Sequence, residues 1–150
     1  MQATIPDRKR VLDALLTAAT RPLAQAYEAL SATMPQALPV RGPEIGMVML
    51  RGRIGGGGQP FNLGEATVTR ATVRLESGEI GHAVLLGRDM EKARMVAHLD
   101  ALAQRDDWRA TVETRFVAPA LEAEAEERRR RVEEVEATRV DFFTMVRGED

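Results

Sequence analysis

Two arginines, four consecutive glycines and an aromatic-polar turn stand together in the stretch RGRIGGGGQPFNLGEATVTR, from Arg51 to Arg70. Glycine-rich loops bind phosphate when a helix begins directly after them, so that its backbone amides point at the anion. A Walker-type loop also needs Lys followed by Ser or Thr, which GGGGQPFNLGE lacks. A dinucleotide fingerprint fails as well, because these glycines connect two predicted strands and open no helix. The stretch therefore predicts no autonomous phosphate site.

Glycine still permits positive φ angles and close approach of a ligand or a neighbouring chain. Strand alternation predicts that Arg51 and Arg53 share one face, with Arg70 near them across the hairpin and Glu65 as the nearest carboxylate. A solvated arginine ladder and a mobile hairpin tip remain as alternatives. We expect the following residues to contact a partner or ligand: Arg51, Arg53, Gly55, Gly56, Gly57, Gly58, Phe61, Asn62, Glu65 and Arg70.

Groups for independent catalysis are scarce. Cysteine is absent, and the two histidines, His82 and His98, have no neighbours at metal-ligand spacing. We predict that His82 lies in the core on an apolar strand face and that His98 lies on a helix surface. Ser31 and Ser77 have no nucleophile-elbow context, and many of the carboxylates belong to one charged segment. The sequence thus predicts neither a catalytic residue nor a metal site.

The composition describes a chain of 150 residues, 44% hydrophobic, with a net charge of −2. This length suits one core, so we predict a single domain over residues 1–150. No stretch approaches the ~20 apolar residues of a membrane span, and the lack of cysteine suits a reducing interior; we expect a cytoplasmic protein. A nucleic-acid module using Arg51, Arg53, Arg70 and Arg74 is an alternative, which the lack of stacking aromatics beside them disfavours.

The hydrophobic pattern predicts helices, then strands, then helices. Asp7 is predicted to cap a first helix, and Pro22 fits the first turn of a second. MVMLRGRI, EATVTRATVRL and EIGHAVLL are predicted strands. A turn at Ser77–Gly78 would set Leu75 opposite Ile80 and Val73 opposite His82.

The second half supplies further helices. Asp89 is predicted to cap a helix with one apolar stripe, and the short run TRFVAP is predicted to end at Pro119. ALEAEAEERRRRVEEVEAT predicts a solvated charged helix. The terminal VDFFTMV has strand propensity, and we expect it to form an interface through Val140, Phe142, Phe143 and Met145. The predicted fold class is α+β with a mostly antiparallel sheet.

Three strings carry a resemblance to a known family: RGPEIGMVMLRGRIGGGGQPFNLGEATVTRATVRL, GHAVLLGRD and TRVDFFTMVRGED. They closely resemble the PhnG family, a subunit of the bacterial carbon-phosphorus lyase system. The resemblance covers nearly the whole chain, from the first helix to the terminal RGED.

The resemblance implies a role in the use of phosphonates as phosphorus sources. In that system PhnG, PhnH and PhnI, helped by the ATPase-like PhnL, replace the adenine of ATP with a phosphonate such as methylphosphonate. The radical subunit PhnJ later cleaves the ribose 1-phosphonate 5-triphosphate product, and the nucleosidase chemistry is assigned to PhnI. The implied partners are PhnI, PhnH and PhnJ, with a homodimer of the isolated chain as a further expectation; ATP is a substrate of the complex, and no cofactor is expected in this chain. The alternative is an independent enzyme that binds a nucleotide through the glycine loop.

Overall fold

The computed structural model describes residues 5–139. Two helices, α1 (Ile5–Thr17) and α2 (Thr20–Leu30), precede the strands β1 (Ala37–Arg53), β2 (Pro60–Leu75) and β3 (Ile80–Leu86). After them come α3 (Met90–Ala103), α4 (Asp106–Val112), a π-helical turn at Glu113–Val117 and α5 (Ala118–Ala137). The strands form one antiparallel sheet in the order β1-β2-β3, which confirms the predicted α+β class. Val140, Phe142, Phe143 and Met145 lie outside the described residues.

Helix α3 is the centre of the core. It packs against β2 and β3 on one side and against α1, α2 and α4 on the others, so it is buried nearly all round instead of along one stripe. Asp89 caps it as predicted, with its side chain accepting the Lys92 N–H at 2.9 Å. Met90, the first residue of this helix, is exposed because the helix begins there, at the rim of the core.

The predicted register of β2 and β3 is wrong by one residue. Arg74 pairs with Ile80 and Thr72 with His82, while Val73 pairs with Gly81. The turn has three residues between Leu75 and Glu79, whose N–H and carbonyl are hydrogen-bonded at 2.9 Å, and Gly78 takes a positive φ of 106°. Three-residue hairpin loops commonly place glycine at such a position.

The two histidines lie in environments opposite to those predicted. His82 moves to the exposed outer face of the sheet, where its Nδ1 lies 3.1 Å from the Thr72 hydroxyl. His98 is buried, with Nδ1 2.6 Å from the Tyr27 hydroxyl and Nε2 2.8 Å from the Pro35 carbonyl. Both histidine predictions are therefore wrong. For His82 the reason is the register, since a shift of one residue reverses the face of a strand side chain. For His98 the reason is that α3 is buried nearly all round and has little exposed surface.

Two helix boundaries also differ from expectation. Helix α1 begins at Ile5, so Asp7 lies inside its first turn and is not its cap. TRFVAP does not end at Pro119, since helical structure continues from the π-helical turn into α5. Proline has no N–H to donate and crowds the preceding turn. The wider turn at Glu113–Val117, where the Ala118 N–H reaches the Glu113 carbonyl, lies directly before this proline and makes room for it.

Candidate partner interface

The far ends of β1 and β2 form a two-stranded ribbon, defined here as Met47–Arg53 paired with Pro60–Thr67. Strand β3 pairs with β2 only from Val68 to Arg74, so it does not extend along the ribbon. The buried core also stops at this point, because the buried residues of β2 begin at Val68, whereas Pro60 to Glu65 are all exposed. The ribbon therefore projects from the body of the fold.

Apolar side chains are exposed on both faces of this ribbon. On the face that continues the core side of the sheet, Met47 is 69% exposed and Met49 is 58% exposed. Val48 and Leu50 are exposed on the opposite face, and Leu63, also in the ribbon, is 62% exposed. Contiguous apolar surface of this kind marks interaction sites in soluble proteins. The ribbon has the composition of a surface that another protein covers.

The glycine run forms the tip of the ribbon. Gly55 and Gly56 have φ angles of 62° and 75°, a region that favours glycine, and the Gly58 N–H donates to the Ile54 carbonyl at 3.1 Å. The chain then re-enters β2 at Pro60, so no helix N-terminus faces the loop. The glycines are needed to turn the chain at this point, and the tip has none of the geometry of a helix-based phosphate site.

Arg51 and Arg53 are exposed in the ribbon, opposite Asn62 and Pro60 respectively. Within residues 5–139 neither guanidinium makes an ion pair. Glu65, which lies opposite Met49, likewise pairs with none of the described arginines. Glu65 is the nearest carboxylate in the sequence, but among the described residues it does not balance the charge of Arg51 or Arg53.

Arg70 is separate from the other two arginines. It lies opposite Glu44, seven positions before Arg51 in β1, which corresponds to about 23 Å along a strand. Its Nε lies 2.6 Å from Glu44 Oε1, and Arg41 Nε lies 2.7 Å from the same oxygen. Hydrogen bonds from Arg41 and Arg70 lower the pKa of Glu44. Sequence reasoning missed Glu44 because the bulges that bring Arg41 to it leave no periodic signal.

The described residues hold no competing metal centre and no membrane-spanning helix. Residues 5–139 contain no group of three or more His, Asp or Glu side chains arranged to bind a metal ion. The same residues include no helix with the length and apolar character needed to span a bilayer. The ribbon is consequently the candidate functional surface.

Two comparisons with known proteins agree on the family of this chain. The family model described as phosphonate metabolism protein PhnG matches residues 6–148. The alpha-D-ribose 1-methylphosphonate 5-triphosphate synthase subunit PhnG of Rhizobium meliloti (strain 1021) is 53% identical over 148 residues, which cover 99% of this chain and 94% of the relative. A family match over nearly the whole chain, joined to this identity, shows that the chain belongs to the PhnG family of phosphonate metabolism proteins.

Proposed function

We propose that this chain is a non-catalytic subunit of an α-D-ribose 1-methylphosphonate 5-triphosphate synthase. Such a complex converts ATP and an alkylphosphonate to the ribose 1-phosphonate 5-triphosphate and adenine. PhnI, PhnH and PhnJ are the proposed partners, ATP is a substrate of the complex, and the reaction takes place in the cytoplasm. The relative from Rhizobium meliloti, itself named a subunit of this synthase, supports the assignment.

The exposed ribbon is the observation that carries a subunit role. Met47, Met49 and Leu63 are each more than half exposed, and no described part of the chain covers them. Burying such side chains against a partner contributes about 25 cal/mol for each Å² of apolar surface removed from water. The guanidiniums of Arg51 and Arg53 at the far end of the ribbon, which make no ion pair with any described residue, add a charge that a carboxylate of the partner would balance.

The alternative of an independent nucleotide-binding enzyme has no support in the described residues. The glycine run that suggested it is the tip of a β-ribbon, and the two histidines serve the Tyr27 and Thr72 hydrogen bonds. The proposed contribution of this chain is therefore attachment and recognition within the complex.

Co-purification with tagged PhnI, in the presence of PhnH and PhnJ, tests the proposal. We expect the unmodified chain to be retained and Met49→Lys to lower its affinity for the complex by roughly tenfold or more, because a charge would be buried at an apolar contact. Leu38→Lys is the matched control, since Leu38 is an exposed apolar residue at the other end of the same strand. Failure of the unmodified chain to associate with any of the three proteins would refute the proposed function.

A further inference from the structure

The two edge strands of the sheet differ in the hydrogen-bond partners of their outward backbone groups. Strand β3 is one edge, and two backbone groups at its start have side-chain partners: the His82 N–H donates to Asp100 Oδ2 at 2.9 Å, and the Ile80 carbonyl accepts from Gln104 Nε2 at 2.8 Å and from Arg8 Nη2 at 3.2 Å. Asp100 is fully buried and also binds Arg8 at 2.7 Å. Side chains thus occupy the first part of this edge and block the addition of another strand there.

Strand β1 forms the opposite edge, and it is open. The first part of β1 is irregular, since Pro39 and Pro43 lack N–H donors and two register shifts interrupt the ladder before Glu44. From Glu44 to Leu50 the strand then pairs without interruption with Arg70 to Gly64. This segment, EIGMVML, has one charged residue and no proline, so it lacks the usual protections of an exposed edge.

The hydrogen bonds between β2 and β3 determine which residues of β1 face outward on this edge. The Leu75 N–H donates to Glu79, and the Thr67 carbonyl accepts from Gly87, so the odd-numbered residues of β2 direct their backbone groups towards β3. The even-numbered residues of β2 therefore face β1 and bond to Glu44, Gly46, Val48 and Leu50, which lie opposite them.

It follows that Ile45, Met47 and Met49 direct their N–H and carbonyl groups away from the sheet. Within residues 5–139 no backbone or side-chain partner reaches these groups. Outward N–H and carbonyl groups that alternate along a strand can form hydrogen bonds with an extended peptide. The peptide then adds a further strand to the sheet.

We propose that a strand of another subunit of the synthase pairs with the outward backbone groups of Ile45, Met47 and Met49. This inference rests on the proposed function and specifies its contact. The strand presents apolar side chains beside the exposed Ile45, Met47 and Met49, and it carries a carboxylate at the end that lies against Arg51 and Arg53.

A second copy of this chain fits the same edge less well. Antiparallel pairing of two β1 strands about Val48 sets Ile45 opposite Arg51 of the other copy. The only acidic residue of the strand is Glu44, which Arg41 and Arg70 already share, so neither Arg51 nor Arg53 gains a carboxylate. Charge complementarity therefore favours a different subunit.

A pair of substitutions at one residue tests the backbone contact. Met47→Pro removes an outward N–H without removing a bond of the β1–β2 ladder, whereas Met47→Ala removes the same side chain and keeps the N–H. We expect Met47→Pro to bind the complex of the other subunits, PhnI, PhnH and PhnJ, at least about fivefold more weakly than Met47→Ala. The reason is that it loses one hydrogen bond and disturbs the neighbouring ones. The free energy of unfolding of both variants shows whether the fold is preserved.

Residue-resolved hydrogen exchange of the unmodified chain gives an independent measurement. The amides of Ile45, Met47 and Met49 should exchange fast in the isolated chain and slowly in the complex, while those of Gly46, Val48 and Leu50 are protected in both. Equal affinity of the two Met47 variants, or fast exchange of the three amides in an intact complex, would overturn the strand addition and leave the subunit role standing. Protection that appears in the isolated chain as its concentration rises would assign the edge to a second copy and overturn the proposal.

Discussion

His98 is a buried histidine whose tautomer is fixed by its two partners. The Pro35 carbonyl only accepts hydrogen bonds, so Nε2 must carry the proton, and Nδ1 then accepts from the Tyr27 hydroxyl. Burial lowers the pKa of His98, and the nearby charge of Arg94 lowers it further, against the opposing effect of the Pro35 carbonyl. These two hydrogen bonds connect α2 and the segment before β1 to the central helix α3. They form with the His98 imidazole in one protonation state, the neutral one.

We expect this histidine to make the fold less stable in mild acid. Because the folded pKa lies below the unfolded value of 6.5, the unfolded chain takes up the proton first as the pH falls. The histidine-linked part of the free energy of unfolding should therefore decrease from about pH 6.5 downward, with a slope of at most about 1.4 kcal/mol per pH unit, until the folded pKa is reached. Urea unfolding between pH 7.5 and 5 measures this slope.

The exposed histidine supplies the control for that experiment. His82→Gln leaves the buried network in place and should retain the slope, whereas His98→Gln should reduce it while also lowering stability at neutral pH. An identical pH dependence in the His98→Gln variant and the unmodified chain would contradict the assignment.

At the scale of elements, the close contact between β3 and α3 depends on Gly81. A Cβ atom placed there would lie 1.8 Å from the Ala97 carbonyl oxygen and 2.6 Å from the Ala101 nitrogen, both of them helix backbone atoms that do not move easily. We expect Gly81→Ala to lower the free energy of unfolding by about 3 kcal/mol or more, at the upper end of overpacking effects. Chemical denaturation with a probe of secondary structure measures the change.

Gly46 is the matched glycine in the neighbouring part of the sheet. No atom lies within 4 Å of a Cβ built there, so Gly46→Ala should change the free energy of unfolding by less than about 1 kcal/mol. Comparable destabilisation by the two substitutions would show that the strand and the helix are not held at this distance.

Most elements of this fold could be predicted from the sequence, while the register between strands could not. Asp89 and the apolar periodicity predicted α3, and Pro22 predicted the first turn of α2. The β2–β3 register depended on whether the turn has two or three residues, and both choices keep apolar residues together. Only the packing of Gly81 against α3 selects the observed pairing.

The position of the candidate site along the chain could be predicted from the sequence, whereas the contacts of its residues could not. The arginine-glycine stretch predicted a special hairpin, and the structure has the ribbon there. Its grouping of Arg70 with Arg51 and Arg53 was wrong, because strand length separates them and Glu44 lies closer. The hydrogen bonds between β2 and β3 determine which backbone groups of β1 face outward. No local sequence pattern in β1 contains this information.

On the scale of the whole molecule, the described residues hold buried polar groups that serve the fold and exposed surfaces that we propose a partner covers. Asp100 is committed to Arg8 and the His82 N–H, and His98 to Tyr27 and Pro35. The ribbon, by contrast, leaves apolar side chains and the β1 edge open. This division is expected of a protein that becomes functional when another subunit completes it.

We therefore predict that the purified chain alone neither releases adenine from ATP nor transfers a phosphonate to the ribose. General acid–base catalysis requires a titrating group within hydrogen-bond reach of a bound substrate, and the buried His98 and Asp100 are withheld from solvent by their partners. Adenine release, followed by chromatography, should appear when this chain is added to PhnI, PhnH and PhnL with ATP and methylphosphonate. It should be equally fast with His82→Gln, whose imidazole is the one exposed among the described residues. The prediction would be contradicted if the isolated chain released adenine and a point substitution within the chain abolished that release. Such a result would establish an active site in this chain.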